Sequence, residues 1–354
     1  MIIKNISLLD YRNIKKLNID LSPDVNVFYG DNAQGKTNIL ESMYMCATGR
    51  SQRTHISKEL IRFGCDGAHI QLTVIKDSYK DKINIHIKPN NKKGIAINNL
   101  PVKNVNELFG TVNIILFSPE DLMLVKEGPS NRRKYIDIEL CQLSRLYANN
   151  LSRYYRILKD RNLLLKKNPD KLTLEAYDTE LAQYGSRIIK DRKIFIEDLN
   201  CRANKVHSDI TSCKECLEVR YVPNVDGENF LKKLEASRDK DIYYGTTSAG
   251  IHKDDLIFNI NGINARDFGS QGQQRTICLS LKLAEVEIVK NKTGYKPVLL
   301  LDDVLSELDR SRQLYILHSI KGVQTIITST GIEDIKENVG DVKFFYVKNG
   351  MVTE

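Results

Sequence analysis

The chain lacks any run approaching the ~18 consecutive apolar residues that cross a bilayer, and its start, MIIKNISLLDYRN, has neither the basic flank nor the apolar block of a secretory signal. A membrane-spanning or exported protein is not expected, and the cytoplasm is the inferred compartment. Proline is scarce, eight in 354 residues with Pro169 and Pro223 isolated, and there is no repeat or low-complexity tract, which argues against a long linker or a repeat array. Seven cysteines are an odd count in a chain too long to need disulfide staples, so reduced thiols are expected. Cys213 and Cys216 have CxxC spacing and with Cys201 and His207 make a conceivable zinc set. Neither the second pair nor the spacing to His207 fits a familiar finger, and buried or surface thiols are the simpler reading.

What is present suits a globular protein: 41% hydrophobic residues, and 53 Lys and Arg against 45 Asp and Glu for a net +8. The length allows two or three domains at roughly 100–200 residues each. Leu17, Ile19 and Leu21 alternate, as do Ile70, Leu72 and Val74, then Ile83, Ile85 and Ile87, with turn-rich KDSYKDK and KPNNKKG after the second and third runs. That predicts a partly antiparallel sheet. Val112–Phe117 is a continuous apolar run, as in a strand covered on both faces.

From Arg132 the period changes. Ile136, Leu140, Leu143, Tyr147, Leu151, Tyr154 and Leu158 predict an amphipathic helix of about seven turns. After KKNPDKLT a second series runs through Leu174, Tyr177, Leu181, Tyr184, Ile188, Phe195 and Leu199, with one step interrupted at Asp191, so two long antiparallel helices are expected. Strand patterns return at Leu217, Val219 and Tyr221, and Asn261-Gly262 is a two-residue hairpin turn. A helix through Ile277, Leu281, Ala284 and Ile288 precedes strands at Val298–Leu301, VQTIIT and VKFFYV. The expected fold class is α/β: a mixed-sheet head, 1–120 and 236–354, interrupted by a helical arm at 121–235.

Gly30-Asp31-Asn32-Ala33-Gln34-Gly35-Lys36-Thr37 matches G-x-x-x-x-G-K-[ST] in full, between the apolar VNVFY and a helical pattern at Ile39, Leu40, Met43 and Tyr44. Glycines let the backbone wrap phosphates, and the amides at the helix start supply positive potential. Lys36 is expected to reach the β- and γ-phosphates of ATP and Thr37 to hold Mg2+. Val298–Leu301 ends in Asp302-Asp303, one acid for the metal and the other, Asp303, for orienting water. Gly269-Ser270-Gln271-Gly272-Gln273-Gln274-Arg275 starts a helix as a second anion cradle, and its distance from the first suggests a γ-phosphate bound from another subunit; a plain capped helix start is the alternative.

These motifs, with Phe117-Ser118-Pro119-Glu120-Asp121-Leu122, Asn131-Arg132-Arg133 and LLLDDVLSELD in order, resemble the RecF family, bacterial recombination-repair ATPases of the ABC class related to Rad50 and SMC heads. The similarity runs from Tyr11-Arg12-Asn13 to VKFFYV. It implies an ABC-type head that dimerises on ATP, binds single-stranded and duplex DNA and their gap junctions, and works with RecR and RecO to load RecA, in the nucleoid-associated cytoplasm. By position, Ser270, Gly272 and Gln273 resemble the signature that touches the partner's ATP, Ser306-Glu307-Leu308-Asp309 the D-loop, and Arg12 and Asn13 residues near the nucleotide. The chain departs from the wider ABC pattern where Gln271 replaces a glycine, Asp303 replaces the usual glutamate and Thr328-Ser329-Thr330 lacks the switch histidine; the shorter acid and the missing histidine imply slow turnover. No Gln for a magnesium-linked loop stands near Ser118–Glu120.

Between Ser130 and Lys167 the net charge is +7 in 38 residues, nearly the whole excess of the chain. A solvated helix face explains such a run, but it also suits phosphates, and Arg132, Arg133 and Lys134 are the candidate DNA contacts. The interleaved Tyr147, Tyr154 and Tyr155 suit base stacking as well as core packing, and their helical spacing favours the core. Two other classes share the phosphate loop. The absent histidine and the basic arm argue against a transporter subunit, and four or five heptads are too few for the coiled coil of an SMC- or Rad50-like organiser.

Overall fold

Alternation of apolar residues builds the first sheet of the protein. The computed structural model describes residues 1–90, 93–167, 170–331 and 341–354. Strands β1 (Ile2–Tyr11), β2 (Ile14–Asp20), β4 (Ala68–Lys76), β5 (Tyr79–Ile87), β6 (Lys93–Ile97) and β7 (Leu100–Pro101) pair antiparallel in the order β2-β1-β4-β5-β6-β7. Ile70, Leu72, Val74, Ile83 and Ile85 are fully buried on one face. KDSYKDK makes the β4–β5 turn; Asn91 and Lys92 of KPNNKKG lie outside the described residues.

A second sheet of order β15-β14-β3-β13-β12-β8 contains β3 (Val25–Tyr29), β8 (Ile114–Phe117), β12 (Val298–Asp302), β13 (Thr325–Ser329) and β14 (Val342–Lys348) in parallel, with β15 (Met351–Thr353) antiparallel at its edge. β8 and β12 are buried at every residue, as parallel strands covered on both faces must be. Helix α1 (Lys36–Thr48) is buried nearly all round. The buried Gln324 side chain bonds Ile3 of the first sheet through both backbone groups, at 2.6 and 2.8 Å, and also reaches the Ser22 carbonyl. Register aligns Tyr29 with Ser329 and Asp302 with Thr328, so the phosphate loop, the acid pair and the β13 end emerge at one edge. Crevices beyond the carboxyl ends of parallel strands are where ligands bind in such sheets.

The chain divides into two compact units, Met1–Asp121 with Glu285–Glu354, and Leu122–Ala284. The second holds α2 (Leu122–Lys126), α3 (Pro129–Leu143), α4 (Arg145–Leu165), α5 (Lys171–Ile210), α6 (Phe230–Ala236), α7 (Arg238–Tyr244), α8 (Ala265–Phe268) and the first part of α9 (Gln271–Thr293). It also holds an antiparallel sheet of β9 (Leu217–Val222), β10 (Asp255–Ile260) and β11 (Ile263–Asn264). The turn between β10 and β11 is Asn261-Gly262, both at positive φ (50° and 80°), the backbone a tight hairpin requires.

Two expectations are corrected. The seven-turn helix from Arg132 is two helices, because Ser144 is extended and its hydroxyl accepts from the Tyr147 amide at 3.1 Å, capping a fresh start. The second long helix is α5, unbroken over 40 residues with Asp191 inside it. Residues 236–284, expected with the head, belong to the second unit, because β10 pairs along β9 and Asp241, Asp254 and Asp255 bond arginines of α3, α4 and α5. Helices α4 and α5 run antiparallel, with Arg161 meeting Asp178 and Tyr147 meeting Arg192; Asn168 and Pro169 of the joining turn lie outside the described residues. Among those described, no helix is long and apolar enough to cross a membrane.

Candidate nucleotide site

The phosphate loop follows β3 and opens α1. Gly30 and Gly35 have φ of 141° and 115°, conformations that side chains rarely adopt. A Cβ on Gly30 would collide with the Val347 carbonyl, and one on Gly35 would lie 2.7 Å from Asn13 Oδ1. Asp31, Asn32 and Ala33 form the exposed rim, and Gln34 anchors it by accepting from the Asn349 amide at 2.7 Å. Lys36 is 4% exposed and donates to the Gly30 and Asp31 carbonyls at 2.6 and 2.9 Å, so its ammonium is folded onto the loop it serves.

Thr37 Oγ1 donates to Asp302 Oδ1 at 2.8 Å, joining the phosphate loop to the end of β12 across 265 residues of sequence. Thr328 Oγ1 donates to the same oxygen at 2.8 Å and accepts from the Asp303 amide at 2.9 Å. Burial is the main influence on the Asp302 carboxyl and raises it above its ordinary value; hydrogen bonds from Thr37 and Thr328 oppose this, while Asp303 and Glu120 add to it. Thr328, beyond the expected site residues, thus orients the Asp302 carboxylate and fixes the Asp303 backbone, at the place where the switch histidine is absent. Asp303 sits in the left-handed region, φ 52°, which turns it away from the strand direction. Ser306 donates to its carbonyl at 2.7 Å, fixing the start of Ser306–Asp309.

Arg12 and Asn13 close the loop from the β1–β2 turn. Asn13 Nδ2 donates to the Gln34 carbonyl at 2.9 Å and its Oδ1 accepts from Asn38 at 2.8 Å. Arg12 grips Glu41 of α1 in a two-pronged ion pair at 2.9 and 2.7 Å. Burial alone would raise the Glu41 carboxyl, but bonds from Arg12 and Ser51 more than offset it and hold it below its ordinary value. Glu41 belongs to no motif; the signal was an acid on an otherwise apolar helix face, which needs a buried partner.

In the second unit, Ser270 and Gln273 form a reciprocal cap: Ser270 Oγ accepts from the Gln273 amide at 3.2 Å, and Gln273 Oε1 from the Ser270 amide at 2.8 Å. Gly272 lies within this first turn, and Gln273 Nε2 donates to Glu215 at 2.8 Å. Arg132 is not a DNA contact: it is 2% exposed, paired with Asp255 at 2.6 Å and bonded to the Leu124 and Glu127 carbonyls. Arg133 is half-buried and donates to the Asp254 carbonyl, whereas Lys134 is exposed. Arg161 is also buried, leaving Lys134, Arg145, Arg153, Arg156, Lys159, Lys166 and Lys167 as the exposed cations of the basic stretch. Tyr147 and Tyr154 are fully buried. The zinc set does not assemble: His207 is buried between Ser280 and Glu215, and no group of three or more metal-binding side chains occurs among the described residues.

A phosphate loop at the carboxyl ends of a mainly parallel sheet, an acid pair at the end of the next strand but one, and an inserted unit carrying a second capped helix start define an ATPase head of the ABC type. The family model described as RecF/RecN/SMC N terminal domain matches residues 2–353. The chain is 49% identical to the DNA replication and repair protein RecF of Lachnospira eligens, over 99% of each chain, and 49% identical to that of Clostridium novyi over the whole of both. A solved structure of the recombination mediator protein RecF with ATP, from the RecFOR pathway, matches with TM-score 0.92 at 38% identity, covering 99% of this chain and 96% of the other. An Smc head derived from Pyrococcus furiosus shares the fold alone, with TM-score 0.59 at 15% identity. The chain belongs to the RecF family.

Proposed function

We propose that this protein is an ATP-dependent DNA-binding protein of recombinational repair and replication restart: ATP closes two copies, the dimer holds single-stranded DNA, duplex and gap junctions, and with RecR and RecO it assists RecA loading in the cytoplasm. The observation that carries this is the Thr37–Asp302 hydrogen bond, which brings the two halves of an ATP site together. Family membership supplies the biological setting.

Lys36 exchanges the loop carbonyls for β- and γ-phosphate oxygens. Thr37 Oγ1 and Asp302 Oδ1, two oxygen donors 2.8 Å apart, fit Mg2+, and the desolvated Asp302 carboxylate is suited to a cation. Held by these two oxygens, Mg2+ would supply the positive charge that a transferring phosphate needs. Asp303 orients the attacking water, and Ser270, Gly272 and Gln273 meet the γ-phosphate held by the other copy. Turnover is slow because the Asp303 carboxylate is short and Thr328 is already committed to both acids.

Two measurements test this directly. In sedimentation with ATP and Mg2+, the wild type associates, whereas Ser270→Arg binds ATP with near-normal affinity and stays monomeric; a Ser270→Arg protein that associates normally would contradict the signature assignment. Asp303→Asn keeps nucleotide but loses about 10²–10⁴-fold in hydrolysis, the usual worth of a general base, and accumulates the dimer. Hydrolysis at the wild-type rate removes Asp303 from the role.

The exposure of Arg153, Arg156 and Lys159 at helical steps of three supports a DNA path along α4. Replacing all three with Glu weakens duplex binding and lowers the slope of log K against log salt by about 3, near 0.9 per lost phosphate contact. An unchanged slope moves the DNA elsewhere.

A further inference from the structure

Three exposed thiols, Cys201, Cys213 and Cys216, line one open cleft of about 400 Å³ at the end of α5, and nothing in the ATP site uses them. Between two of them sits Glu215, whose Oε1 accepts from Gln273 Nε2 at 2.8 Å while Oε2 lies 3.1 Å from His207 Nε2. The same short loop therefore carries a vicinal pair of thiols and the carboxylate that holds the first turn of α9.

We propose that Cys213 and Cys216 are a thiol–disulfide exchange site for small aliphatic disulfides, and that closing the pair withdraws Glu215 from Gln273. The second clause rests on reading Gln273 as part of the signature; the first does not.

The loop is built unevenly. Cys216 is pinned on both backbone sides, its amide donating to Asn261 Oδ1 at 2.8 Å and its carbonyl accepting from the Asn261 amide at 2.9 Å. At the other end, Ser212 and Cys213 occupy the left-handed region with φ of 52° and 60°, where residues bearing a side chain are strained. Among the described residues Cys213 is held only by Ser208 at the end of α5, whose carbonyl accepts from the Cys213 amide at 2.8 Å and whose hydroxyl donates to the sulfur at 3.4 Å. A disulfide requires Cα atoms about 4.4–6.8 Å apart. Closure is met by moving the strained end, and Glu215 lies inside the ring that tightens.

The chemistry balances without a metal. The Cys213 thiolate attacks one sulfur of the small disulfide, and the first small thiolate leaves. The Cys216 thiolate then attacks Cys213 Sγ, and the second leaves. The protein loses two hydrogens and the small disulfide becomes two thiols. Cys201 stands on the rigid α5 and remains a free thiol.

The test uses the full chain, reduced, desalted and exposed to oxidised glutathione, then alkylated and peptide-mapped. The expected result is a Cys213–Cys216 link with Cys201 still alkylated, unchanged in Cys201→Ser and absent in Cys213→Ser. A stable glutathione adduct without the internal link, or a link through Cys201, overturns the pair. In sedimentation with ATP and Mg2+, the linked protein associates about tenfold more weakly than the reduced protein, the scale of one lost hydrogen bond to a charged group, and a reductant restores it. Cys213→Ser is unaffected by oxidised glutathione. Equal association of linked and reduced protein overturns the coupling to Gln273. Reduced wild type that fails to associate counts against the ATP-driven dimer, while the peptide map still decides the thiol pair.

Discussion

Lys36→Ala lowers affinity for ATP by about 30-fold to several thousand-fold, the cost of about 2–5 kcal/mol for truncating one member of a desolvated, hydrogen-bonded charge pair. Lys36 is almost fully buried before ligand arrives, and its bonds to the Gly30 and Asp31 carbonyls keep the ammonium within the loop. Its desolvation is thus already met in the folded protein, and nucleotide gains from a cation held in place. The loop should survive the change, because its shape is set by the glycines and by Asn13 and Asn349, neither of which uses the Lys36 side chain. Calorimetry with ATP and Mg2+ measures the loss. A thermal-shift assay adds a second readout: at 100 times the wild-type Kd the wild type gains about 2.7 kcal/mol of stability, and the variant gains from about 0.9 kcal/mol at a 30-fold loss down to almost none at a several thousand-fold loss. A variant within threefold of the wild-type affinity would remove Lys36 from the site.

The parts of the site that could be read in the sequence are those whose chemistry is local. Eight consecutive residues supply the phosphate loop, and two adjacent acids at a strand end supply the metal and water positions, so order and spacing suffice. What could not be read depends on partners distant in sequence. Thr328 acquires its role only because parallel pairing sets it beside Asp302, and Glu41 acquires its own only when the β1–β2 turn brings Arg12 against α1. Arg132 shows the opposite failure. Beside Arg133 and Lys134 it reads as part of a basic surface, yet one turn of helix sends it inward to Asp255, 123 residues away. A charge count gives the field of a segment but not the direction in which each charge points.

The head was legible for a similar reason. Period-two and all-apolar strands report one-sided and two-sided burial, which gives the antiparallel and the parallel strands but not their division into two sheets. The arm was misread where polar residues decide. Ser144 breaks an otherwise continuous apolar stripe by capping a fresh helix start. The far boundary of the arm was missed because β10 reads as one more strand of the head. Its partner is β9, and the acids beside it answer arginines on helices 60 to 120 residues earlier, a match no periodicity carries.

Those buried acids set the largest expected effect on stability. Arg192→Met should destabilise the second unit by about 3–5 kcal/mol, the cost of leaving a buried ion without its partner, or about 6–20 °C in melting temperature. Arg192 is fully buried and its guanidinium bonds Asp137 and Asp254, both at 2.7 Å, the Ile251 carbonyl at 3.0 Å and the Tyr147 hydroxyl at 3.1 Å. It thereby ties α3, α5 and the segment leading into β10. Burial already raises the Asp254 carboxyl, with Arg192 and a bond from Tyr221 pulling it down. Without the arginine it rises further and takes up a proton. An acid whose folded value exceeds its unfolded one contributes stability that is present at low pH and lost as pH climbs through the folded value. The variant should therefore be closest to the wild type near pH 5 and fall away toward pH 8. Adding Asp254→Asn removes the orphaned charge and should recover part of the loss at pH 8. Chemical denaturation at the two pH values measures both effects. A loss under 1 kcal/mol at pH 8, or one that is larger at pH 5, would show that the Arg192–Asp254 pair does not hold the arm together.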